Sequence, residues 1–142
     1  MALRRKMEKG QSMVELALML PALALLLVLV ADFARVFYAS IGLASAARAG
    51  VQYGAQNYTT AIDFNSIQQA ALNDGQNIIG ISAQATDFCM CGDDKVACSP
   101  RQCAEPALFI QVKTKATFHT LLSYPGVPSQ FPLTSTAVME VQ

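Results

Sequence analysis

The sequence predicts an α+β fold: a long N-terminal helix, membrane-spanning in its first part, continues into a small globular domain with a short second helix and an antiparallel sheet of three to four strands. Three observations predict it. Met13 to Ala31 is an apolar run broken only by Glu15. The three- and four-residue spacing of apolar and small residues then carries on past Asp32. Beyond residue 80 the period of the pattern falls to two, which is that of half-buried strands.

The apolar run sets the topology. Its nineteen residues approach the ~20 that a helix needs to cross a bilayer. Of the 142 residues 53% are hydrophobic and 14% charged, and the formal net charge of zero hides a partition. Arg4, Arg5, Lys6 and Lys9 precede the run with Glu8 alone against them, whereas from Gln11 onward six basic side chains face nine acidic ones. Basic flanks stay cytoplasmic, so the N-terminus is expected inside and the C-terminal domain outside. No basic stripe with interleaved aromatics supports nucleic-acid binding. A secretory signal peptide would use Ala22-Leu23-Ala24 for cleavage, but Leu25 to Val30 would then form a strongly apolar new terminus. A plain single-pass anchor explains the length. It leaves Glu15 without a purpose, and it does not call for Pro21, which removes a helical hydrogen bond and is expected to kink the helix.

A third reading uses all of these features. Processing after Gly10 would make Gln11 a new N-terminus with a free amine, and Glu15 lies four residues further on. That is about one helical turn, or ~6 Å along the axis. On a straight helix Glu15 does not easily reach its own amine, but it reaches the amine of a copy displaced by that distance. In apolar surroundings the two charges stabilise one another, whereas either alone is expensive.

The stretch Gly10-Gln11-Ser12-Met13-Val14-Glu15-Leu16-Ala17-Leu18, with Pro21 and Asp32-Phe33, resembles the N-terminus of TadE-like proteins, minor pilins or pseudopilins of tight-adherence (Tad) type IV pilus systems. The resemblance extends through the small-residue helix Arg35 to Ala55, the cysteine-bearing middle and the C-terminal stretch Val112 to Val141. It implies a type IV pilin-like fold, cleavage by a prepilin peptidase between Gly10 and Gln11, and a role for Glu15 in assembly or processing. It also implies other Tad pilins and pseudopilins (TadF-like and Flp), the Tad inner-membrane assembly platform and the membrane itself as partners. Major Flp pilins are very short, so a globular domain of this size implies a minor subunit. The expected layout is a cytoplasmic basic leader over 1–10, a helix over 11–57 with about 13–31 in the inner membrane, and a periplasmic α+β domain over 58–142. An anchored periplasmic domain that never polymerises is the alternative.

After Asp32 the residues Phe33, Val36, Phe37, Ile41, Ala44 and Ala47 form a stripe expected to pack on the protein's own sheet. Ala34, Ala39, Ser40, Gly42, Ser45, Ala46, Ala49, Gly50 and Gly54 slim the rest of the helix and would permit close approach of a second helix. A second helix is expected over about 63–73, stopped by Gly75, with Ile67, Ala70 and Ala71 facing the core. Strands are expected over about 81–88, 108–120 and 134–141. In the second of these Ile110, Val112, Thr114, Ala116 and Phe118 share one face, while Gln111, Lys113, Lys115 and Thr117 share a wet one. In the third, Ala137, Met139 and Val141 alternate with Thr136, Val138 and Glu140. The stretch Ser123 to Pro132, with Pro125, Pro128 and Pro132, reads as an irregular loop.

Cys89, Cys91, Cys98 and Cys103 are the four cysteines. Their spacing is not that of paired C-x-x-C knuckles, and an exported segment with an even count reads as disulfide-bonded rather than as a zinc site. Cys89–Cys91 is disfavoured because residues two apart on a strand are too distant. A folded-back hairpin favours the nested pairs Cys91–Cys98 and Cys89–Cys103, and the crossed pairing stays open. Gly92-Asp93-Asp94 offers too few oxygens for calcium. His119 with Ser123 has no nucleophile context around it, and no H-E-x-x-H or phosphate loop occurs. No catalytic residue, metal or cofactor is therefore expected.

Overall fold

A computed structural model describes residues 8–98, 106–123, 126 and 128–142. The chain divides into two units, Met1–Val36 and Phe37–Gln142. Helix α1, Glu8–Gly54, supplies all the described structure of the first unit and the opening of the second. In the second unit a short helix α2, Tyr58–Ala61, and helix α3, Phe64–Asp74, precede strands β1, Ser82–Cys91, β2, Asp94–Val96, β3, Ala107–His119, and β4, Gln130–Glu140. The strands form one antiparallel sheet in the order β2-β1-β3-β4. The architecture is α+β, with helices covering one face of the sheet.

Local chemistry explains the element ends. Asn57 caps α2 in a reciprocal box with Thr60, so the chain turns after Gly54 instead of extending α1. Asp63 caps α3 by accepting from the Ser66 amide at 3.1 Å and the Ser66 hydroxyl at 2.6 Å. The Ser66 side chain and then its backbone amide hold the Asp63 carboxyl below the ordinary value of 3.8. Gly75 stops α3 with its amide on the Ala71 carbonyl.

The core lies between the helices and the inner face of the sheet. Ile110, Val112, Thr114, Ala116 and Phe118 are buried along β3, as their alternation requires, and Lys113, Lys115 and Thr117 are exposed. Ile67 and Ala71 of α3 are buried with them, and Ala70 is half-buried.

On α1 the inward face is not the large-residue stripe. Leu43, Ala46, Ala47, Gly50, Val51 and Gly54 are buried, while Phe37 and Ile41 are exposed. The reason is clearance. A Cβ on Gly50 would lie 3.1 Å from both the Ala71 Cβ and the Val112 Cγ1, and one on Gly54 would lie 2.8 Å from the Ile67 Cδ1. Small side chains let the helix backbone come down onto α3 and β3, with Leu43 and Val51 filling the space beside them, and Phe37 and Ile41 are left on the opposite side. One polar contact fixes this seat: the buried Thr114 hydroxyl donates to the Leu43 carbonyl at 2.9 Å.

Two strands depart from the sequence reading. β4 begins at Gln130, so Gln130, Phe131 and Pro132 are strand rather than loop, with Pro132 opposite Thr117. β4 is an edge strand, where a proline whose missing N–H would face outward removes no ladder bond. β2 is an unforeseen strand. It forms because Gly92, at φ +65°, takes the left-handed backbone required at the first position of a two-residue hairpin loop joining Cys91 to Asp94.

That hairpin decides the cysteine pairing. Its register sets Cys89 opposite Val96 and Cys91 opposite Asp94, so Cys98, two residues beyond Val96, returns beside Cys89. The disulfide is Cys89–Cys98, with the Cα atoms 5.0 Å apart. This bond belongs to the crossed pairing left open above and not to the favoured nested one, because the tight turn carries Cys91 past the reach of Cys98. Cys91 is also disulfide-bonded. Cys103 lies outside the described residues. On the outer face Phe88 stacks on Phe109 at 5.5 Å, and the Lys95 ammonium sits 3.8 Å above the Phe88 ring while donating to Gln111.

Three outcomes follow from this packing. Peptide mapping of non-reduced protein should recover a Cys89–Cys98 link, and a Cys91–Cys98 link would contradict the hairpin register. Gly50→Val should lower unfolding stability by about 1–3 kcal/mol through overpacking, measured by denaturant titration in detergent. Asp63→Ala should lower the melting temperature at pH 7. The Asp63 carboxyl is depressed in the fold, so its contribution is present above the unfolded value and lost as pH falls through the folded one. The difference between Asp63→Ala and wild type should therefore shrink as pH falls below the ordinary carboxylate range.

Candidate functional site

In the first unit most of the apolar side chains of α1 are exposed. From Met13 to Val30 the large hydrophobics other than the half-buried Val28 are more than half exposed, and they surround the helix instead of lining one side. This is a helix long and apolar enough to cross a membrane, the mark of a single-pass anchor. Pro21 lies inside it and has no N–H for the carbonyl of Ala17 one turn back.

Gly10 and Gln11 both fall within the helix. Glycine in a helix interior is less stable than alanine by about 1 kcal/mol, which packing often justifies. Here a Cβ on Gly10 would meet nothing within 4 Å. Among the described residues no contact requires glycine at this position, in contrast to Gly50 and Gly54.

Gln11 and Glu15 meet through their side chains: the Gln11 Nε2 donates to the Glu15 Oε1 at 3.2 Å. The sequence reading looked for a donor only on another copy and missed this one. The signal was present in the four-residue spacing of an amide and a carboxylate, which places both on one helix face.

At the far end of the apolar run, Asp32 is buried and accepts from the Arg35 guanidinium at 2.9 Å. Exposed apolar surface does not end at this ion pair. Phe33 is 70% exposed, and in the second unit Phe37 is 61%, Tyr38 68% and Ile41 56% exposed. At the other candidate positions, His119 and Ser123 are exposed, and among the described residues no group of three His, Cys, Asp or Glu side chains is placed to hold a metal. The two described cysteine partners, Cys89 and Cys98, are covalently joined, so their thiolates are not available as ligands.

Comparison with known proteins agrees with the part of the chain that carries these features. The family model described as TadE-like protein matches residues 10–52. No curated protein and no solved structure matches the chain. The stretch that bears Gly10, Gln11 and Glu15 is thus similar to the TadE-like family over the part of the chain that the match covers.

Proposed function

We propose that the chain is a non-enzymatic minor pilin or pseudopilin of a Tad pilus, cleaved after Gly10 by a prepilin peptidase and built into an assembly through α1. The observation that carries this reading is the length of the exposed apolar surface. An anchor needs about 20 apolar residues, and Met13–Ala31 already supplies nineteen. Phe33, Phe37, Tyr38 and Ile41 extend the surface by more than two further turns, and the packing of the domain leaves them outside. Apolar surface of that kind marks an interaction site in a soluble segment. A neighbouring pilin helix, continuous with the membrane bundle, has the shape and polarity to cover it. A domain that is merely anchored has no use for it.

The other features take roles under the same reading. Gly10 gives a peptidase close access to the scissile carbonyl, a purpose that its lack of neighbours leaves free. Glu15 meets the Gln11 amine of a neighbouring subunit and sets the axial register, the best-attested use of a charge pair in a low-dielectric bundle. Pro21 supplies a bend within the bundle. The basic leader keeps the N-terminus in the cytoplasm, leaving the second unit in the periplasm, where the Cys89–Cys98 bond is stable. Flp and TadF-like pilins and the inner-membrane assembly platform are the partners, and the size of the globular domain favours a minor subunit over the shaft.

N-terminal sequencing of membrane material should find wild type beginning at Gln11 and Gly10→Phe retaining its leader. A wild-type start at Met1 or Leu25 would contradict the proposal. Glu15→Leu should insert and be cleaved, yet lose co-purification with pili by at least about tenfold, since an unpaired amine in apolar surroundings costs a few kcal/mol. Glu15→Asp, shorter by one ~1.5 Å bond, should fall between the two. Wild-type pilus association by Glu15→Leu would favour an anchored domain that does not polymerise.

A further inference from the structure

A chain that begins with glutamine is chemically unstable at its own terminus. The α-amine attacks the side-chain Cδ, a Cδ–Nα bond closes a five-membered lactam, the Cδ–Nε2 bond breaks, and the amide nitrogen departs as ammonia with the proton the amine gives up. No oxidant, reductant or other reactant takes part. The product has lost its basic amine and with it the positive charge.

In this structure the leaving nitrogen is already engaged. Gln11 Nε2 donates to Glu15 Oε1 at 3.2 Å. That bond draws the Gln11 side chain along α1 toward the C-terminus, whereas the Gln11 backbone nitrogen lies on the N-terminal side of its Cα. Closing the lactam requires the side chain to fold back, which breaks the bond. Around Glu15 the side chains of Met13, Val14, Leu16 and Leu18 are apolar, so in a membrane little water is present to replace a lost donor on the carboxylate.

We propose that Glu15 protects the N-terminus of the processed chain, holding the Gln11 side chain open so that its α-amine does not cyclise. The inference rests on cleavage after Gly10. It gives Glu15 a task within its own subunit that precedes any contact with a neighbour, because the amine it preserves is the charge a neighbouring carboxylate pairs with. Gln11 is then a modification site whose rate of modification is set by the residue one turn away.

The test is a time course of N-terminal peptide mass on full-length protein purified in lipid vesicles, for wild type, Glu15→Leu and Glu15→Gln. Wild type should start at Gln11 with its full mass. Glu15→Leu should lose one ammonia about three- to tenfold faster, the rate equivalent of one ordinary hydrogen bond. Glu15→Gln keeps an acceptor oxygen and should stay near wild type, which separates the hydrogen bond from a general effect of the charge. Equal ammonia loss by wild type and Glu15→Leu would overturn the protection while leaving cleavage intact. A chain that still carries its leader would overturn the processing and this inference with it, and the two failures differ by a whole peptide in mass.

Discussion

The closeness of α1 to the sheet is the constraint from which the rest of the second unit follows. Gly50 and Gly54 leave no room for a side chain against Ala71, Val112, Ile67 and Ile110, and Ala46 and Ala47 are buried beside them. A helix held at that distance can present only its slim side to the domain. Its orientation is fixed by the buried bond from Thr114 to the Leu43 carbonyl, which satisfies a hydroxyl in the middle of an otherwise apolar strand face. The outward side is then decided by elimination, and it carries Phe37, Tyr38 and Ile41.

This arrangement accounts for a helix that looks over-supplied with apolar residues. A globular domain of this size would ordinarily turn its aromatic side chains inward, where burial contributes most. Here Phe33, Phe37 and Tyr38 of α1 are kept out, and alanine and glycine share the core contacts with Leu43, Val51 and the half-buried Tyr53. The domain forgoes some burial of its own and retains a surface that another helix can cover. The charged groups fit the same division. Asp32 and Arg35 satisfy each other within the helix, and Glu15 has a donor in Gln11. Neither arrangement depends on a second chain.

Much of this was legible in the residues. The alternation along β3 gave its register face by face, because a strand that is wet on one side must alternate. The length and all-round apolarity of the run were equally plain. The inward face of α1 was not legible: ranking by side-chain size picked Phe33, Phe37 and Ile41, whereas the packing is governed by the space available at Gly50 and Gly54. Pro132 read as a loop residue because its tolerance depends on β4 being an edge, which is a property of strand order and not of local sequence. β2 has three residues and no period of its own, although Gly92-Asp93 was a hairpin signal that was open to reading. The disulfide followed from that missed turn, since one register decides whether Cys98 meets Cys89 or Cys91.

The central claim is that the outward face of α1 is covered by another pilin helix. Its most direct test is photo-crosslinking from a benzoylphenylalanine placed at Phe37 in cells that assemble pili, with the same group at the exposed Lys113 as a control. The account predicts adducts between Phe37 and other pilin subunits, and none from Lys113 to those subunits. A Phe37 probe that forms no protein adduct in assembling cells would contradict it.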